Sequence, residues 1–349
     1  RQLSCFGKIA AWKLNEVLIN KIVNFNYDVF EAATVRTCII QITKEITKNN
    51  EIDIIDVNSL TDKHLFLNKV YKNINQNIFN DTDSNNFRIN LTNDKIELLS
   101  KIEQNCLRVD DICSVNYGLR PSSEKLKLKK EAFIHNENER GTYKNYFEGK
   151  DMGYWLINRS SFLDYRPDVI YNPMFIELFE IEKLVGLRTL SDIGKLRFIY
   201  DNNGFYCNDS VVVLTRWIEF QKVEYITIKR LITNKKINTS KNFSLKYLQA
   251  ILNSKLIKFY VNELLYDGTH FYPNHMKQLP IKINNNTKKI EDLVSIIHEK
   301  NINSEDDKVF INQLDIHIYK LYNLNYSEVL QIDTEFTLTQ AEYNNFNTF

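Results

Sequence analysis

The hydrophobic pattern changes near residue 243, and this change limits the folds open to the chain. Between residues 107 and 214, short β-branched runs alternate with turns, and seven of the nine glycines fall there. From Ser244 onward apolar residues recur at helical spacing, and residues 288–300 and 307–323 repeat that pattern. The sequence therefore predicts a β-rich domain followed by a helical part, with one short strand at 279–283.

The first 44 residues have a different pattern. Apolar spacing predicts a helix over residues 8–23, the overlapping aromatic segment 22–30 predicts an extended strand, and the β-branched residues 35–42 predict a second strand. One helix with one or two strands cannot close a hydrophobic core. We therefore interpret residues 1–44 as the edge of an α/β sheet. Residues 45–106, rich in asparagine, are interpreted as a linker with helices, one of them near 94–106.

The charge balance of the 349 residues does not identify a partner. The chain has 45 Lys and Arg against 44 Asp and Glu, a net charge of +1. The charge is uneven, since residues 225–300 hold 13 basic against 5 acidic side chains, whereas residues 305–335 hold 2 against 7. A positive face is therefore available for nucleic acid. Five cysteines without a CxxC pair predict reduced thiols and a cytoplasmic protein, and no apolar run is long enough for a membrane span.

Common catalytic motifs are missing from the printed sequence. It contains no GxGxxG, Walker A, HExxH or GxSxG pattern. Residues 172–175, Asn-Pro-Met-Phe, are interpreted as a turn, because the second proline of the Asn-Pro-Pro-Tyr loop of amino-methyltransferases is missing. Asp111, Glu148 and Lys150 have the composition of a magnesium-dependent nuclease triad, but Gly149 is unfavourable in the strand such a triad needs.

Two segments carry side chains suited to DNA. Residues 266–277, YDGTHFYPNHMK, place aromatic, histidine, asparagine and lysine side chains around a proline, so they would stack on bases or bond to base edges and phosphates. An ordinary aromatic turn is the equally weighted alternative. In residues 117–121, YGLRP, a strand ends in a turn from which Arg120 would reach either a guanine edge or solvent.

Several segments in the same order resemble the C-terminal half of TaqI-like adenine-specific DNA methyltransferases, including type IIG restriction-modification enzymes. The resemblance spans most of the chain. Residues 29–40 are similar to the last strands of the catalytic domain, and residues 115–120 to the opening of the target-recognition domain. The remaining similar segments are 146–151 (the Gly-Lys-Asp segment), 178–185 (Phe-Glu followed by lysine), 248–255 ("LLNS"), 276–281 ("LPI") and 314–328 ("LYGL"). Glu182 and Asn323 replace a usual proline and glycine.

The resemblance implies an α+β fold in which the edge of an α/β methyltransferase sheet precedes a mixed, β-rich target-recognition domain with a helical C-terminal part. The implied domains are residues 1–44, 45–106, 107–283 and 284–349. The chain itself carries no cofactor loop. S-adenosylmethionine is implied only for a full-length bacterial parent, whose N-terminal catalytic domain is expected to be missing here. The resemblance leaves open whether that parent also has a nuclease domain.

Double-stranded DNA is the implied partner, to be held while a catalytic half outside this chain methylates a flipped adenine. Arginine and asparagine suit base edges, and lysine suits phosphates. The predicted DNA contacts are Tyr117, Arg120, Lys150, Arg188, His270, Tyr272, Asn274 and Lys277. Two alternatives stay open: a protein-interaction module with the same fold, and, less favoured, the nuclease described above.

Overall fold

The structure is a computed structural model that describes residues 17–25, 27, 29–30, 37–45, 49–59, 72–79, 89, 91–266 and 271–347. The chain divides into two compact units, Arg1–Leu98 and Leu99–Phe349. Helix α1 (Asn93–Glu103) contains the boundary between them.

The described part of the first unit is built around one mixed sheet. Its strands are β1 (Leu18–Phe25), β2 (Cys38–Thr43), β3 (Glu51–Val57) and β4 (Lys72–Asn75), hydrogen-bonded in the order β2-β1-β3-β4. β1 pairs antiparallel with β2 and parallel with β3, and β4 is antiparallel to β3. Ile22, Ile54 and Ile74 are buried in its core. Alternating isoleucines of this kind favour a pleated strand with one buried face.

Two predictions for this unit need correction. The helix predicted over residues 8–23 is wrong for residues 18–23, which lie in β1, whereas residues 8–16 lie outside the described residues. The segment predicted as linker and helices contributes β3 and β4 to the same sheet as β1, so residue 44 does not separate two folding units. The strand predicted at 35–42 is confirmed over residues 38–42, which lie in β2, whereas residues 35 and 36 lie outside the described residues. Assignment of this sheet to a methyltransferase domain stays a prediction.

The second unit combines small sheets with helices. Its strands are β5 (Cys106–Arg108), β6 (Cys113–Tyr117), β7 (Ile134–His135), β8 (Lys144–Phe147), β9 (Ser161–Leu163), β10 (Lys183–Leu187), β11 (Phe198–Asp201), β12 (Tyr206–Cys207), β13 (Val211–Arg216) and β14 (Pro280–Lys282). Its helices after α1 are α2 (Val109–Ile112), α3 (Glu177–Glu180), α4 (Ile226–Leu231), α5 (Asn234–Ser240), α6 (Leu245–Asn253), α7 (Lys255–Leu264), α8 (Pro273–Lys277), α9 (Lys288–Ile302), α10 (Lys308–Leu321), α11 (Tyr326–Ile332) and α12 (Gln340–Asn345).

The sheet that positions the candidate site has the strand order β11-β10-β13-β6, and its neighbouring strands are antiparallel. A second sheet has the order β12-β8-β9-β7, and β14 pairs with β5. Residues 183–187 and 211–215 are buried throughout, so β10 and β13 form the centre of the core. Three of the strand-like runs predicted between 107 and 214, at 110–118, 195–201 and 209–215, correspond to the strands β6, β11 and β13.

Helix α6 begins at Ser244, as predicted, where the hydroxyl accepts a hydrogen bond from the Tyr247 amide. The helical pattern that predicts one helix through residue 259 is interrupted at Ser254, which ends α6 and caps α7 by accepting from the Ile257 amide. Immediately before the break, Asn253 bonds to both backbone groups of Phe198, at 2.7 and 2.9 Å. Ser254 therefore separates the two helices, and Asn253 supplies hydrogen-bond partners for the backbone N–H and C=O of Phe198 on the outer strand β11.

The C-terminal helices share a core with the strand-rich part. α9 packs against α6, and Lys246 on α6 donates to Ser295 on α9 at 2.9 Å. The helices predicted at 288–300 and 307–323 are confirmed as α9 and α10. A mixed α and β architecture is thus confirmed. None of the described helices is long and apolar enough to cross a bilayer.

Candidate nucleic-acid interface

One end of the β11-β10-β13-β6 sheet collects several of the predicted contacts. β6 ends at Tyr117 opposite Val212, and β10 ends at Leu187 opposite Val211. Because neighbouring strands are antiparallel, the end of β6, the start of β13 and the end of β10 meet at the same edge. Residues that follow these strand ends are therefore neighbours in space.

Tyr117 and Arg188 contact each other at this edge. The guanidinium carbon of Arg188 lies 5.5 Å from the centre of the Tyr117 ring, a cation–π distance, and Tyr117 is 38% exposed. The backbone of Arg188 is fixed on both sides, since its N–H donates to Ser210 and its carbonyl accepts from Phe271. The Nε atom of Arg188 is enclosed and has no hydrogen-bond partner among the described residues. A cation that is held in place but not neutralised by a carboxylate is suited to an anionic or acceptor-rich partner.

Arg120 occupies the turn after β6. Its backbone N–H donates to the Asn172 carbonyl at 3.0 Å, and its Nε donates to Asp209 at 2.7 Å. The side chain remains 56% exposed. Hydrogen bonding to Asp209 raises the pKa of the Arg120 guanidinium, so it is charged at any physiological pH.

Tyr272 follows Phe271 and precedes α8, so the Phe271–Arg188 hydrogen bond places it beside Arg188. α8 packs against β6, and Pro273 at its first position suits the start of a helix. Tyr272 is 38% exposed and Asn274 is exposed. Lys277, half-buried, is the last residue of α8. His270 lies outside the described residues.

Lys150 lies in the 3-10 turn Gly149–Asp151, next to the same edge. The Gly149 N–H donates to the Ser210 hydroxyl at 2.9 Å. The Lys150 ammonium lies 3.2 Å from Glu148 and is 73% exposed. Lys150 thus lies beside the edge, but it forms an ion pair with the Glu148 carboxylate.

The nuclease triad is not assembled. Burial would raise the pKa of Glu148, but hydrogen bonds from Lys130 and Lys150 outweigh it and lower the pKa. Asp111 instead accepts from the Arg108 amide at the start of α2. In the part of the chain that the structure describes, no group of His, Cys, Asp and Glu side chains is arranged to hold a metal ion.

Sequence reasoning missed two contributors to the edge. Tyr171 is 53% exposed and sits next to Asn172, whose carbonyl binds the Arg120 amide. Asp209 belongs to the loop 208–210, which contacts Gly118, Arg120, Gly149 and Arg188. The signal for this loop was the turn sequence Asn-Asp-Ser before a β-branched strand. We call Tyr117, Arg120, Tyr171, Arg188 and Tyr272 the edge cluster.

The Asn-Pro-Met-Phe segment is a turn, as interpreted from the sequence. The hydroxyl of Tyr165 donates to the carbonyls of Pro173 and Met174 at 3.3 and 3.2 Å. Phe175 is buried and stacks on Tyr225 with ring centres 4.5 Å apart. Its ring face is therefore occupied within the protein.

Comparison with known proteins finds likeness at the level of structure. No family model and no curated sequence matches the chain. A structure of the Type IIL restriction-modification enzyme MmeI in complex with DNA aligns with a TM-score of 0.51 and 10% identity over 95% of this chain and 46% of that one.

Two other solved structures align less well. The S subunit of a Type I restriction-modification system from M. genitalium aligns with a TM-score of 0.32, at 16% identity over 65% of this chain and 49% of that one. The type IIG restriction endonuclease BpuSI aligns with a TM-score of 0.35, at 10% identity over 83% and 40%. The chain thus spans less than half the length of MmeI, and it shares the fold of that part of a Type IIL restriction-modification enzyme.

Proposed function

We propose that this chain is the DNA target-recognition region of an adenine-specific restriction-modification methyltransferase. The observation that carries the proposal is the edge cluster: exposed tyrosines together with the exposed Arg120 and the partly buried Arg188, brought to one end of a sheet in a fold shared with a restriction-modification enzyme. Such side chains suit DNA, because arginine forks match guanine edges and phosphates while tyrosine rings stack on bases or sugars.

The edge cluster has the rigidity that sequence reading requires. Arg120 and Arg188 follow strands whose backbones are hydrogen-bonded to their neighbours, and each arginine also has its own backbone bond to a second segment. Side chains on fixed backbone lose little freedom on binding. Asn274 and Lys277 on α8 extend the surface with an amide for base edges and an ammonium for phosphate.

Methyl transfer itself belongs to residues outside this chain. S-adenosylmethionine would supply the methyl group in the longer protein, bound by its catalytic half. The Asn-Pro-Met-Phe turn does not fit a base-gripping role, because the Phe175 ring is covered by Tyr225. This chain would therefore bind and orient duplex DNA without performing the reaction.

The test is binding of the 349-residue chain to a pool of random duplex DNA at two salt concentrations, with sequencing of the retained fraction. We expect an enriched motif and an affinity that falls steeply with salt. Binding without a motif would restrict the role of the chain to holding DNA. Absence of binding at both salt concentrations would overturn the proposal and favour the protein-interaction module.

A further inference from the structure

Arg120 is not a freely moving surface arginine. The turn that carries it is anchored by hydrogen bonds from the Gly118 amide to Val211, at 3.1 Å, and from the Leu119 amide to Cys207, at 2.9 Å. The side chain of Leu119 is fully buried. A Cβ atom at position 118 would lie 2.2 Å from the carbonyl oxygen of Asn208, so only glycine lets the turn approach the loop 208–210 this closely.

Asp209 is held as firmly as the arginine that it binds. The loop 208–210 is closed by the Val211 amide donating to the Asn208 carbonyl at 3.0 Å, and by the Ser210 hydroxyl donating to the Asn208 side chain at 2.5 Å. Ser210 also accepts from Gly149. The Asp209 carboxylate is therefore presented to Arg120 from a fixed position.

The hydrogen bond between Arg120 and Asp209 leaves the two terminal nitrogens of the guanidinium available to a partner. Asp209 accepts from Nε, on the side of the guanidinium, at 2.7 Å. Both terminal nitrogens are outside this bond. They are the pair of donors that a guanidinium uses for two parallel hydrogen bonds to O6 and N7 of guanine.

The charge of the pair favours a base over a phosphate. Asp209 offsets the positive charge of Arg120, and its carboxylate would repel a phosphate brought to the same place. A paired arginine therefore adds little to non-specific attraction but keeps its directional donors. Tyr117 ends the strand before Arg120, Tyr171 adjoins Asn172, whose carbonyl accepts from the Arg120 amide, and both tyrosines are exposed.

We propose that Asp209 positions Arg120 to read one guanine through the major groove, so that the pair determines one base of the recognised DNA sequence. This inference rests on the proposed DNA-recognition function. Arg120 touches the base, and Asp209 acts through Arg120 as a positioning residue. The pair would require guanine at a single position and leave the other positions of the site unchanged.

The experiment compares motifs selected from random duplex DNA by the wild-type chain, Asp209→Ala, Asp209→Asn and Arg120→Lys. We expect Asp209→Ala and Arg120→Lys each to weaken the preference for guanine at the same single position by roughly tenfold. Asp209→Asn should retain part of the preference, because its amide oxygen still accepts from Nε. The matched control is Glu219→Gln, which alters the Arg216–Glu219 pair at the opposite end of β13 and should leave the motif unchanged.

A modified base identifies the contact chemically. At the guanine position, 7-deazaguanine removes N7 and should weaken the wild-type complex several-fold while barely affecting Asp209→Ala. Hypoxanthine at the same position keeps O6 and N7 and lacks the minor-groove amine, so it should not weaken the wild-type complex. An equal response of the wild type and Asp209→Ala to 7-deazaguanine would overturn the proposed contact.

The outcomes separate this inference from the proposed function. A wild-type motif that Asp209→Ala leaves unchanged would overturn the inference and leave DNA recognition standing. DNA binding without any motif would overturn the inference and reduce the proposed function to holding DNA. A uniform loss of affinity for all sequences together with a lower melting temperature would show that Asp209 only supports the loop, and would also overturn it. Failure of the wild type to bind DNA would overturn both.

Discussion

The two ends of the β11-β10-β13-β6 sheet both carry basic side chains, but these side chains have different contacts and different exposure. At the end that carries the edge cluster, Arg120 and Arg188 are held by their backbones and face solvent or a tyrosine ring. At the other end, Lys183 forms a fully buried ion pair with Asp201, and Arg216 bonds to Glu219 and to the Phe243 carbonyl. At the second end the charged groups are paired inside the protein. At the first end the Arg188 Nε has no hydrogen-bond partner among the described residues, and Arg120, although paired with Asp209, keeps a side chain that is 56% exposed.

Aromatic residues follow the same division. The Trp217 indole N–H donates to the Asp110 carbonyl at 2.7 Å, and the Lys236 ammonium lies 4.4 Å from the Trp217 ring centre while pairing with the Asp110 carboxylate. This arrangement buries the tryptophan. Tyr171 and Tyr117, by contrast, are exposed at the edge cluster. Composition alone does not distinguish a binding surface from a structural one, because the difference lies in what each side chain contacts.

The largest expected effect is at the buried end. Lys183→Met leaves Asp201 buried without its cation, so we expect the free energy of unfolding to fall by about 3–5 kcal/mol. Lys183→Met combined with Asp201→Leu should recover part of this loss, because no buried charge remains. Chemical denaturation measures both. A decrease of less than about 1 kcal/mol in the free energy of unfolding of Lys183→Met would contradict a structural role for the buried pair. A loss of DNA affinity in the folded fraction of this variant would contradict the assignment of DNA binding to the other end of the sheet.

A crossed pair of arginine variants separates the ends directly. Arg188→Ala should lower affinity for the selected DNA on the order of tenfold and leave the melting temperature unchanged, since its Nε has no hydrogen-bond partner among the described residues. Arg216→Ala should instead cost about 1–3 kcal/mol of stability, because it removes two hydrogen bonds. Its affinity per folded molecule should be unchanged. Thermal unfolding gives the melting temperature of each variant, and DNA titration gives its affinity. A loss of stability in Arg188→Ala, or a loss of DNA affinity in folded Arg216→Ala, would contradict the assignment of binding to one end of the sheet and of structural pairing to the other.

The contribution of α8 is expected to be smaller and purely electrostatic. Lys277→Ala should weaken binding to all DNA sequences about equally and reduce the slope of log affinity against log salt by about one. Lys300→Ala is the matched control, because its ammonium is already paired with Glu305. Titrations at several salt concentrations measure both slopes. If Lys277→Ala and the control have the same slope as the wild type, Lys277 does not contact phosphate.

Three strands of the second unit could be predicted because β6, β11 and β13 combine β-branched, aromatic and other apolar residues between turn residues. The extended segment predicted at 22–30 overlaps the end of β1, but the first part of β1 was assigned to a helix. The spacing of apolar residues there fits a helix as well as a strand, and pairing with β2 and β3 decides it. The break at Ser254 was missed for a similar reason, since it depends on the contacts of Asn253 with β11.

The candidate site was predictable in part. Tyr117 and Arg120 stand at a strand end followed by a turn, which the sequence displays locally. Asp209 is 89 positions away from its partner Arg120, and Tyr171 reaches the cluster through backbone hydrogen bonds of residues 171 and 172 to Ser122 and Arg120. A single sequence contains no local signal for such pairings.

The smallest expected effect concerns Glu148, an internally paired carboxylate beside the edge cluster. Lys130 and Lys150 lower its pKa in the folded protein below the ordinary 4.5, so this pairing stabilises the fold above pH 4.5 and its contribution is lost as the pH falls through the folded pKa. Because both lysines are largely solvent-exposed, Glu148→Gln should cost at most about 1 kcal/mol at pH 7, and the difference from wild type should vanish in acid. Denaturation at a series of pH values measures this.

The same substitution should raise affinity for DNA slightly at low salt, because it leaves the charge of Lys150 unshared beside the edge. Asp292→Asn, which alters an exposed pair with Lys288 on α9, is the control of equal charge change. A larger gain for Glu148→Gln than for Asp292→Asn would place Lys150 close to the bound phosphates. Equal gains in DNA affinity for the two variants would reflect the change in net charge alone. Lys150 would then lie outside the DNA interface, which would consist of the edge cluster and α8.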